Sequence, residues 1–263
     1  MTALLVASKP CKNVLGVPDT HRCIYMTDKR AASDYNIVAL DAVKMIKHTL
    51  PFAGPPETFG RKQEAVVRIG MAGTTAYAQY AARVLLEELD ERINAYTCTM
   101  PYERVLSELS DAIFKVSDSI LRGWKVGASD GDDYGEWAVV VSMGASVWEI
   151  TKRGVVDMRP PFSDGGCYKL YANGGGVGHI TAAFRAVEMV YKSNYGDIWQ
   201  MPAGKARSVL LRVGAAVALS TTVAGSAWDV DVADVDGLGR SVDDMIKHSL
   251  DNNGGAEGER AQN

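Results

Sequence analysis

The strand-like and helix-like stretches of this chain come in groups instead of alternating one by one. Strand-like segments fill much of the first 73 residues, helical stretches follow at 74–96 and 101–121, and a second group of strands covers most of 136–174. Two more helical stretches, at 178–194 and 203–221, precede a last strand. Repeated strand–helix–strand units, which build doubly wound parallel sheets, are therefore disfavoured. The grouping favours antiparallel strands joined by turns.

The helical stretches of the first pair each have one apolar face, which must be buried. In 74–96 an apolar residue recurs at every fourth position, and in 101–121, which opens with a proline, one recurs at every third or fourth position. Two antiparallel sheets packed face to face, with a helix pair on each outer face, bury all such surfaces. The sequence thus predicts an α/β (α+β) fold, a four-layer α/β/β/α sandwich. Residues 1–250 form one domain in this prediction, and 251–263, which have little apolar content, form a disordered tail.

The region between the first strands and the first helix divides less clearly into strands and loops. Residues 36–40 and 42–46 have the apolar content of short strands, and 64–73 is predicted as a strand that ends in a glycine turn. Residues 50–62 are rich in proline and glycine, so a loop is predicted there.

Composition and charge argue against several classes of protein. The net charge is −4, and no basic stretch has the density of a nucleic-acid-binding surface. No apolar run approaches the roughly 20 residues of a membrane span, and the N-terminus lacks the basic start and cleavage site of a signal peptide. The four cysteines and four histidines show no zinc-binding spacing. A cytoplasmic protein with reduced thiols is expected, although a Cys11–Cys23 pair across a hairpin stays open.

A glycine-rich turn at 174–178 precedes the third helical stretch. Such turns at helix N-termini bind phosphates, because free backbone N–H groups and the helix dipole favour an anion. Here the downstream Lys-Ser/Thr of a nucleotide-binding loop and the strand–helix–strand context are both missing. Neither a nucleotide nor any other cofactor is predicted, and no metal site is expected.

Five stretches follow one another in an order that is more informative than any one of them. They are "MTALLVAS" (1–8), "MTDKRAAS" (26–33), "RIGMAGTTAYAQYAARVLLEEL" (68–89), "YANGGGVGHITAAFRAV" (171–187) and "WDVDVADVDG" (228–237). Together they resemble the N-terminal-nucleophile hydrolases, and most closely the proteasome β-subunit and its bacterial two-ring peptidase relatives. The resemblance covers about residues 2–237.

In that family the nucleophile is an N-terminal threonine whose own α-amine accepts the hydroxyl proton. The resemblance implies Thr2 in this role, exposed when an aminopeptidase removes the initiator methionine. It implies Asp28 as the aspartate that holds a lysine beside the amine. An α-amine has an ordinary pKa of about 7.7–8.0, and a nearby cation lowers that pKa further. Part of the amine is therefore neutral at working pH and able to act as a base.

The position of that lysine depends on how the segment after Asp28 is aligned. Counting without gaps from Asp28 gives Lys44, whereas anchoring on the apolar strand "NIVALDAVKMI" gives Met45. Successive side chains of a strand point to opposite faces, so in the second alignment Lys44 points outward. Both alignments stay open, and the strand anchoring is slightly favoured.

Two polar groups of the family pattern are missing from this sequence. Gly175 stands where the family has a serine, and "STTVAGSAW" (220–228) contains no aspartate, although its threonine and serine hydroxyls are available. The hairpin at 9–22 is also longer than the family's. These departures favour a second hypothesis, a catalytically silent subunit that keeps the fold for assembly.

The resemblance also implies a substrate and partners. Substrate would lie extended as an added strand in a groove lined by Ala32 and by the turn that contains Gly70, Gly73 and Thr74. Backbone N–H groups near Gly73 would face the oxyanion, although the same glycines are equally compatible with close packing alone. A homo-oligomer of stacked rings, an ATPase or cap partner, and peptide or unfolded-protein substrates are expected. The two candidate functions are thus a threonine peptidase and a silent assembly subunit.

Overall fold

The computed structural model describes most of the chain between Ala3 and Val235. The described residues are 3–10, 21–32, 37–39, 42–53, 62–73, 75–94, 101–127, 137–143, 146–151, 153–157, 169–173, 177–220 and 225–235. The predicted tail at 251–263 lies outside them.

Eleven strands and five α-helices are present within these residues. The strands are β1 (Leu4–Pro10), β2 (His21–Asp28), β3 (Ala31–Ala32), β4 (Ile37–Ala39), β5 (Met45–Ala53), β6 (Lys62–Gly73), β7 (Trp137–Met143), β8 (Ser146–Thr151), β9 (Gly154–Asp157), β10 (Lys169–Asn173) and β11 (Trp228–Val235). The helices are α1 (Thr75–Asn94), α2 (Tyr102–Gly127), α3 (Val177–Ala186), α4 (Lys192–Tyr195) and α5 (Ala203–Ser220). A π-helical turn at Val187–Tyr191 joins α3 to α4.

The strands form two larger antiparallel sheets. One has the order β10-β1-β2-β11, the other has the order β5-β6-β7-β8-β9, and β3 pairs separately with β4. Helices α1 and α2 pack on the five-stranded sheet, whereas α3 and α5 pack on the four-stranded sheet. The predicted four-layer α/β/β/α sandwich of antiparallel sheets is confirmed.

Three sets of buried apolar side chains lie between these four layers. Strand β1 contributes to two of them, since Leu4 and Val6 face the opposite sheet while Leu5 and Ala7 face the helices. Successive side chains of a strand point to opposite faces, so a sheet covered on both faces needs strands that are apolar throughout. Strand β7, "WAVVVSM", is buried at every position for the same reason.

A buried ion pair attaches the segment before α5 to the four-stranded sheet. Arg22 donates from Nε and Nη2 to the two carboxylate oxygens of Asp234, each at 2.7 Å. Its Nη1 donates to the carbonyl oxygens of Ile198 and Met201 at 2.7 and 2.5 Å. The bidentate pairing and the two carbonyls satisfy the guanidinium, as the burial of a charge requires.

The loop predicted before β6 is partly strand. β5 continues to Ala53 and pairs with β6 along its whole length, so 50–53 belong to the sheet. Because β5 is an edge strand, it tolerates Pro51, which has no N–H to donate to a second neighbour. Leu50 and Phe52, on either side of the proline, are each only 1% exposed. Their burial outweighs the turn-like composition of the residues that follow.

Two helices also differ from their predicted form. α2 continues beyond the predicted end at 121 to Gly127. The helix predicted at 178–194 contains the π-helical turn, where Glu188 accepts hydrogen bonds from Trp199 Nε1 at 2.7 Å and from Arg185 Nη1 at 2.9 Å. A π-helical turn leaves no signature in the apolar periodicity from which the helix was predicted.

Helix α5 offers a matched pair of glycines that tests the packing of the outer layer. A Cβ atom on Gly214 would lie 2.6 Å from Cγ of Trp228, whereas no described atom lies within 4 Å of one on Gly204. We expect Gly214→Ala to lower the free energy of unfolding by about 1–3 kcal/mol through overpacking. Gly204→Ala should be neutral or stabilising by up to about 1 kcal/mol. Urea unfolding of both variants checks this, and equal effects would contradict the close approach of α5 to β11.

Candidate active site

The carboxylate of Asp28, at the end of β2, is surrounded by hydrogen-bond donors. Its Oδ1 accepts from the backbone N–H of Ala3 at 2.8 Å and from Nζ of Lys44 at 3.1 Å. Its Oδ2 accepts from the backbone N–H groups of Arg30 and Gly225, each at 3.2 Å. Asp28 is fully buried and Lys44 is 1% exposed. Each oxygen therefore has two donors, and the charge is satisfied without contact with bulk water.

Lys44 is held in place by its backbone as well as by its ammonium group. The backbone N–H of Ala42 donates to the carbonyl of Lys29 at 2.7 Å, and that of Met71 donates to the carbonyl of Lys44 at 2.8 Å. Nζ of Lys44 also donates to the carbonyl oxygen of Arg30. These contacts fix the lysine between the end of β2 and the start of β5.

The side chain that meets Asp28 is therefore that of Lys44, and the strand anchoring that favoured Met45 is wrong. Met45 instead packs against the apolar side chains between the two sheets. The anchoring failed because β5 begins only at Met45, so residues 42–44 lie outside the strand and do not follow its alternation.

Burial dominates the titration of the lysine. Loss of hydration lowers the pKa of Lys44, and the neighbouring Asp28 carboxylate offsets only part of this effect. The folded state therefore releases this proton at a lower pH than the unfolded chain does. Between the two pKa values the unfolded chain binds more protons, so this group makes stability rise with pH in that alkaline window.

The start of β1 is fixed directly beside this ion pair. Ala3 donates its N–H to Oδ1 of Asp28, and its carbonyl accepts from the backbone N–H of Asp28 at 3.1 Å. Thr2 lies outside the described residues, but a single peptide bond joins it to Ala3. Thr2 thus directly precedes, in sequence, a residue whose backbone N–H and carbonyl are both hydrogen-bonded to Asp28.

The residues predicted to line a groove are only partly described. Ala32 lies in β3, opposite Ile37 of β4. Gly70 lies in β6 against Leu4, where a Cβ atom would come 2.8 Å from Cδ1 of that leucine. Gly73 ends β6 with a φ of 83°, a conformation that L side chains rarely adopt. Thr74 and Gly175 lie outside the described residues.

The segment before β11 contributes a donor that was not predicted. "STTVAGSAW" contains no carboxylate, and the backbone N–H of Gly225 is instead bonded to Asp28. The same segment is fixed by the backbone N–H of Lys29, which donates to the carbonyl of Ala227 at 2.9 Å. Backbone donors carry no residue signature, so only the fold reveals them.

Other features bear on cofactors and location. In the described part of the chain, no group of three or more His, Cys, Asp or Glu residues is arranged to hold a metal ion. Cys23 is buried in β2 with its Sγ 3.6 Å from Oγ of Ser8, and Cys11 lies outside the described residues. None of the described helices is long and apolar enough to cross a membrane.

Comparison with known proteins identifies the architecture. No protein-family model matches the sequence, and no curated protein does. The crystal structure of eukaryotic HslV from Trypanosoma brucei is similar, with 16% identity, a TM-score of 0.49, and coverage of 87% of this chain and 98% of that one. The helical assembly of the Anbu complex from Pseudomonas aeruginosa is similar too, with 13% identity, a TM-score of 0.50, and coverage of 97% and 96%. The chain has a proteasome-like fold.

This proteasome-like fold is the one that the sequence resemblance implied. The match with the Anbu subunit extends over almost all of both chains, so it concerns the whole sandwich and not a shared substructure. At 13% identity this similarity establishes the architecture alone.

The ion pair can be tested with a double-mutant cycle. Asp28→Asn removes the anionic partner of Lys44. In either orientation of the amide, its nitrogen faces two of the four donors that now bind the carboxylate. Lys44→Met leaves the carboxylate without its cation. Each change should lower the free energy of unfolding by about 3–5 kcal/mol, and the double variant should cost at least about 1 kcal/mol less than their sum. Urea unfolding supplies all four values.

Lys47→Met is the matched control for that cycle. Lys47 pairs with Asp231 at 2.5 Å, but its side chain is 50% exposed. Its loss should cost about 0–1 kcal/mol. Additive costs for Asp28→Asn and Lys44→Met, or a cost for Lys47→Met as large as theirs, would contradict the importance of the buried pair.

Proposed function

We propose that this chain is a peptidase subunit of an oligomeric assembly, with Thr2 as the nucleophile. The observation that carries the proposal is the buried Lys44–Asp28 pair, which is bonded to the backbone one residue after Thr2. The Lys44 ammonium and the N–H of Ala3 donate to the same oxygen of Asp28, and Ala3 directly follows the residue whose α-amine the removal of Met1 would expose. A nearby cation favours the neutral form of an amine, which is the form that acts as a base.

The reaction would then use the two functional groups of Thr2. The neutral α-amine takes the proton of the hydroxyl as its oxygen attacks the carbonyl carbon of a peptide bond. The resulting tetrahedral intermediate collapses, the C–N bond breaks, and the amine proton passes to the leaving nitrogen. The acyl group stays on the Thr2 oxygen as an ester. Water, deprotonated by the same α-amine, attacks this ester, the bond from the acyl carbon to the Thr2 oxygen breaks, and the amine returns the proton to that oxygen as the second product leaves. Lys44 and Asp28 position the Thr2 α-amine and favour its neutral form, and they form no bond to the substrate.

The end of β6 is the proposed position of the substrate. A peptide that lies extended beside β3 would meet Ala32, and the backbone that leaves Gly73 would present N–H groups to the oxyanion. The unusual φ of Gly73 supports this assignment, because it changes the direction of the chain where β6 passes into α1. Peptides and unfolded proteins are the proposed substrates, an ATPase or cap is the proposed feeding partner, and the cytoplasm is the proposed location.

A silent assembly subunit is the second candidate. It is favoured by the segment before β11, which reaches Asp28 through the backbone N–H of Gly225 and has no aspartate in its sequence. Gly175, where the family has a serine, favours it as well. In this case the Lys44–Asp28 pair is retained for stability alone.

Substitution of Thr2 separates the two candidates. We expect the wild type to cleave unstructured fluorogenic peptides and Thr2→Ala to lose about 10³-fold or more of that activity, because it has no nucleophile. Thr2→Ser keeps a hydroxyl and should retain measurable activity. Intact-mass measurement of each protein shows whether Met1 has been removed, as the mechanism requires. Equal rates for wild type and Thr2→Ala would support the silent subunit.

The pH dependence of kcat/KM tests the role of Lys44. The rate should rise with pH as the Thr2 amine becomes neutral, with a midpoint below the ordinary value of about 7.7–8.0 for an α-amine. It should fall again before pH reaches the usual pKa of a lysine, because burial lowers the pKa of Lys44. A profile without this alkaline decline, or one with its acidic midpoint above the ordinary α-amine value, would argue against the assigned role.

A further inference from the structure

A second cluster of charged side chains joins the two sheets part-way along the strands. The carboxylate of Asp231, in β11, accepts one hydrogen bond from Nε of Arg68, in β6, and one from Nζ of Lys47, in β5, each at 2.5 Å. The side chains of Asp231 and Arg68 are 13% and 10% exposed, whereas that of Lys47 is 50% exposed. β11 belongs to the four-stranded sheet, and β5 and β6 belong to the five-stranded sheet. These three residues are the inter-sheet bridge.

The strand faces on either side place the inter-sheet bridge between the two sheets. Gly70, two residues after Arg68, lies against Leu4 of the four-stranded sheet, and alternate residues of a strand share a face. In β11, Val230 packs with the helical layer, so its neighbour Asp231 points to the opposite face. Arg68 and Asp231 therefore meet in the layer that separates the sheets.

The inter-sheet bridge consists of one anion between two cations. Burial raises the pKa of Asp231, but its interactions with Arg68 and Lys47 lower it by more, so that the pKa lies below its ordinary value. Cys23 and Tyr25 of β2 also interact electrostatically with Asp231, and burial raises the pKa of both. The thiol and the phenol are therefore neutral at neutral pH, and the carboxylate is ionised.

The inter-sheet bridge lies on the same side of the sandwich as the Asp28–Lys44 pair. Asp231 is three residues after Trp228, which is the partner of Asp28 in the pairing of β11 with β2. Lys47 is three residues after Lys44. Three residues of a strand span about 10 Å, so the bridge lies about that far along β11 from the pair. The same two sheets are thus joined twice, once at the strand ends and once further along.

Ion pairs set the offset between the sheets more strictly than the apolar side chains that lie between them. At Gly70 the contact is with Leu4, and Ala72 and Ala138 in the same layer are small. Burial of apolar surface is non-directional, so a small sliding of one sheet over the other changes it little. A buried charge that moves away from its partner is left uncompensated, which is strongly unfavourable. The inter-sheet bridge therefore resists such sliding.

We propose that Asp231 is a positioning residue for the Lys44–Asp28 pair, because it holds the five-stranded sheet in the offset at which the Lys44 ammonium reaches Asp28. Asp231 acts through Arg68 and Lys47 and forms no bond in the reaction. Its effect on the rate of peptide cleavage rests on the proposed function, whereas its effect on the ion pair does not.

A double-mutant cycle of Asp231→Asn and Asp28→Asn, measured by urea unfolding of the full-length protein, tests this link. If Asp231 positions the pair, the loss of folding equilibrium constant caused by Asp28→Asn should be at least about threefold smaller in the Asp231→Asn background, because the pair is already loosened there. Direct repulsion between the two carboxylates predicts the opposite sign, since removing one of them makes the other more favourable. Effects that add to within about twofold, or a coupling of that opposite sign, overturn the proposal.

The pH profile of kcat/KM is a second measurement, which needs only the single variant Asp231→Asn. When the pair is loosened, Lys44 is held less well beside the Thr2 α-amine, so the acidic midpoint should shift upward by at least about 0.5 pH unit. Loss of the Asp231 charge by itself would shift it downward, because removal of an anion favours the neutral amine. A change in stability alone alters the amount of folded enzyme and not the midpoint. An unchanged or lowered midpoint overturns the proposal.

Glu88→Gln is the matched control. The Glu88 side chain is 14% exposed and accepts from Nε of Arg92 at 2.6 Å and from Nζ of Lys115 at 2.7 Å, so it too is an acid held between an arginine and a lysine. It joins α1 to α2 and not one sheet to the other. Its effect should add to that of Asp28→Asn within about twofold, and its pH midpoint should equal that of the wild type. Coupling as large as that of Asp231→Asn would overturn the proposal, since any destabilising change would then loosen the pair.

The two measurements separate this proposal from the proposed function. A wild type that cleaves no peptide contradicts the proposed function, and the double-mutant cycle then decides the role of Asp231 without any activity. A wild type that cleaves peptides, together with an additive cycle, supports the function and overturns the positioning role.

Discussion

The Asp28 carboxylate joins four parts of the chain that are far apart in sequence. Its donors come from the start of β1, from the residues after β2, from the segment before β5 and from the segment before β11. Since both oxygens accept two hydrogen bonds, only a group that is an acceptor at both positions fits among these donors. An ionised carboxylate meets that requirement, and the Lys44 ammonium balances its charge. The arrangement of both sheets at this end of the sandwich depends on the pair.

Because the ion pair stabilises the fold, its presence does not by itself require that the chain cleaves peptides. Breaking one partner of a buried pair costs several kcal/mol, so stability alone preserves Asp28 and Lys44 even in a chain without activity. The α-amine of Thr2 is needed for the proposed chemistry but takes part in none of the four hydrogen bonds to Asp28. The departures from the family pattern, at Gly175 and before β11, likewise leave the pair intact. Retention of the pair is therefore expected in active and silent subunits alike, and the N-terminus is where they differ.

The layers could be predicted from the sequence because their cause is periodic. Runs such as "WAVVVSM" are apolar at every position except Ser142, and a sheet covered on both faces needs such strands. The same reasoning failed at Lys44, because alternation holds only inside a strand and β5 starts one residue later. It failed at Pro51, where the burial of Leu50 and Phe52 outweighs local composition. The Gly225 donor could not be predicted at all, since every residue except proline has the same backbone N–H.

The residues of the site lie where the two sheets end. Ala3, Asp28 and Gly225 lie at one end of the four-stranded sheet, and Lys44 and Gly73 lie at one end of the five-stranded sheet. The middle of each sheet is held by apolar side chains buried on both faces, whereas these ends are held by hydrogen bonds to one carboxylate. Because backbone N–H groups supply three of the four donors, most side chains at this edge can change without loss of those bonds. The fold thus leaves the residues at the ends of the sheets free to change while the four layers stay the same.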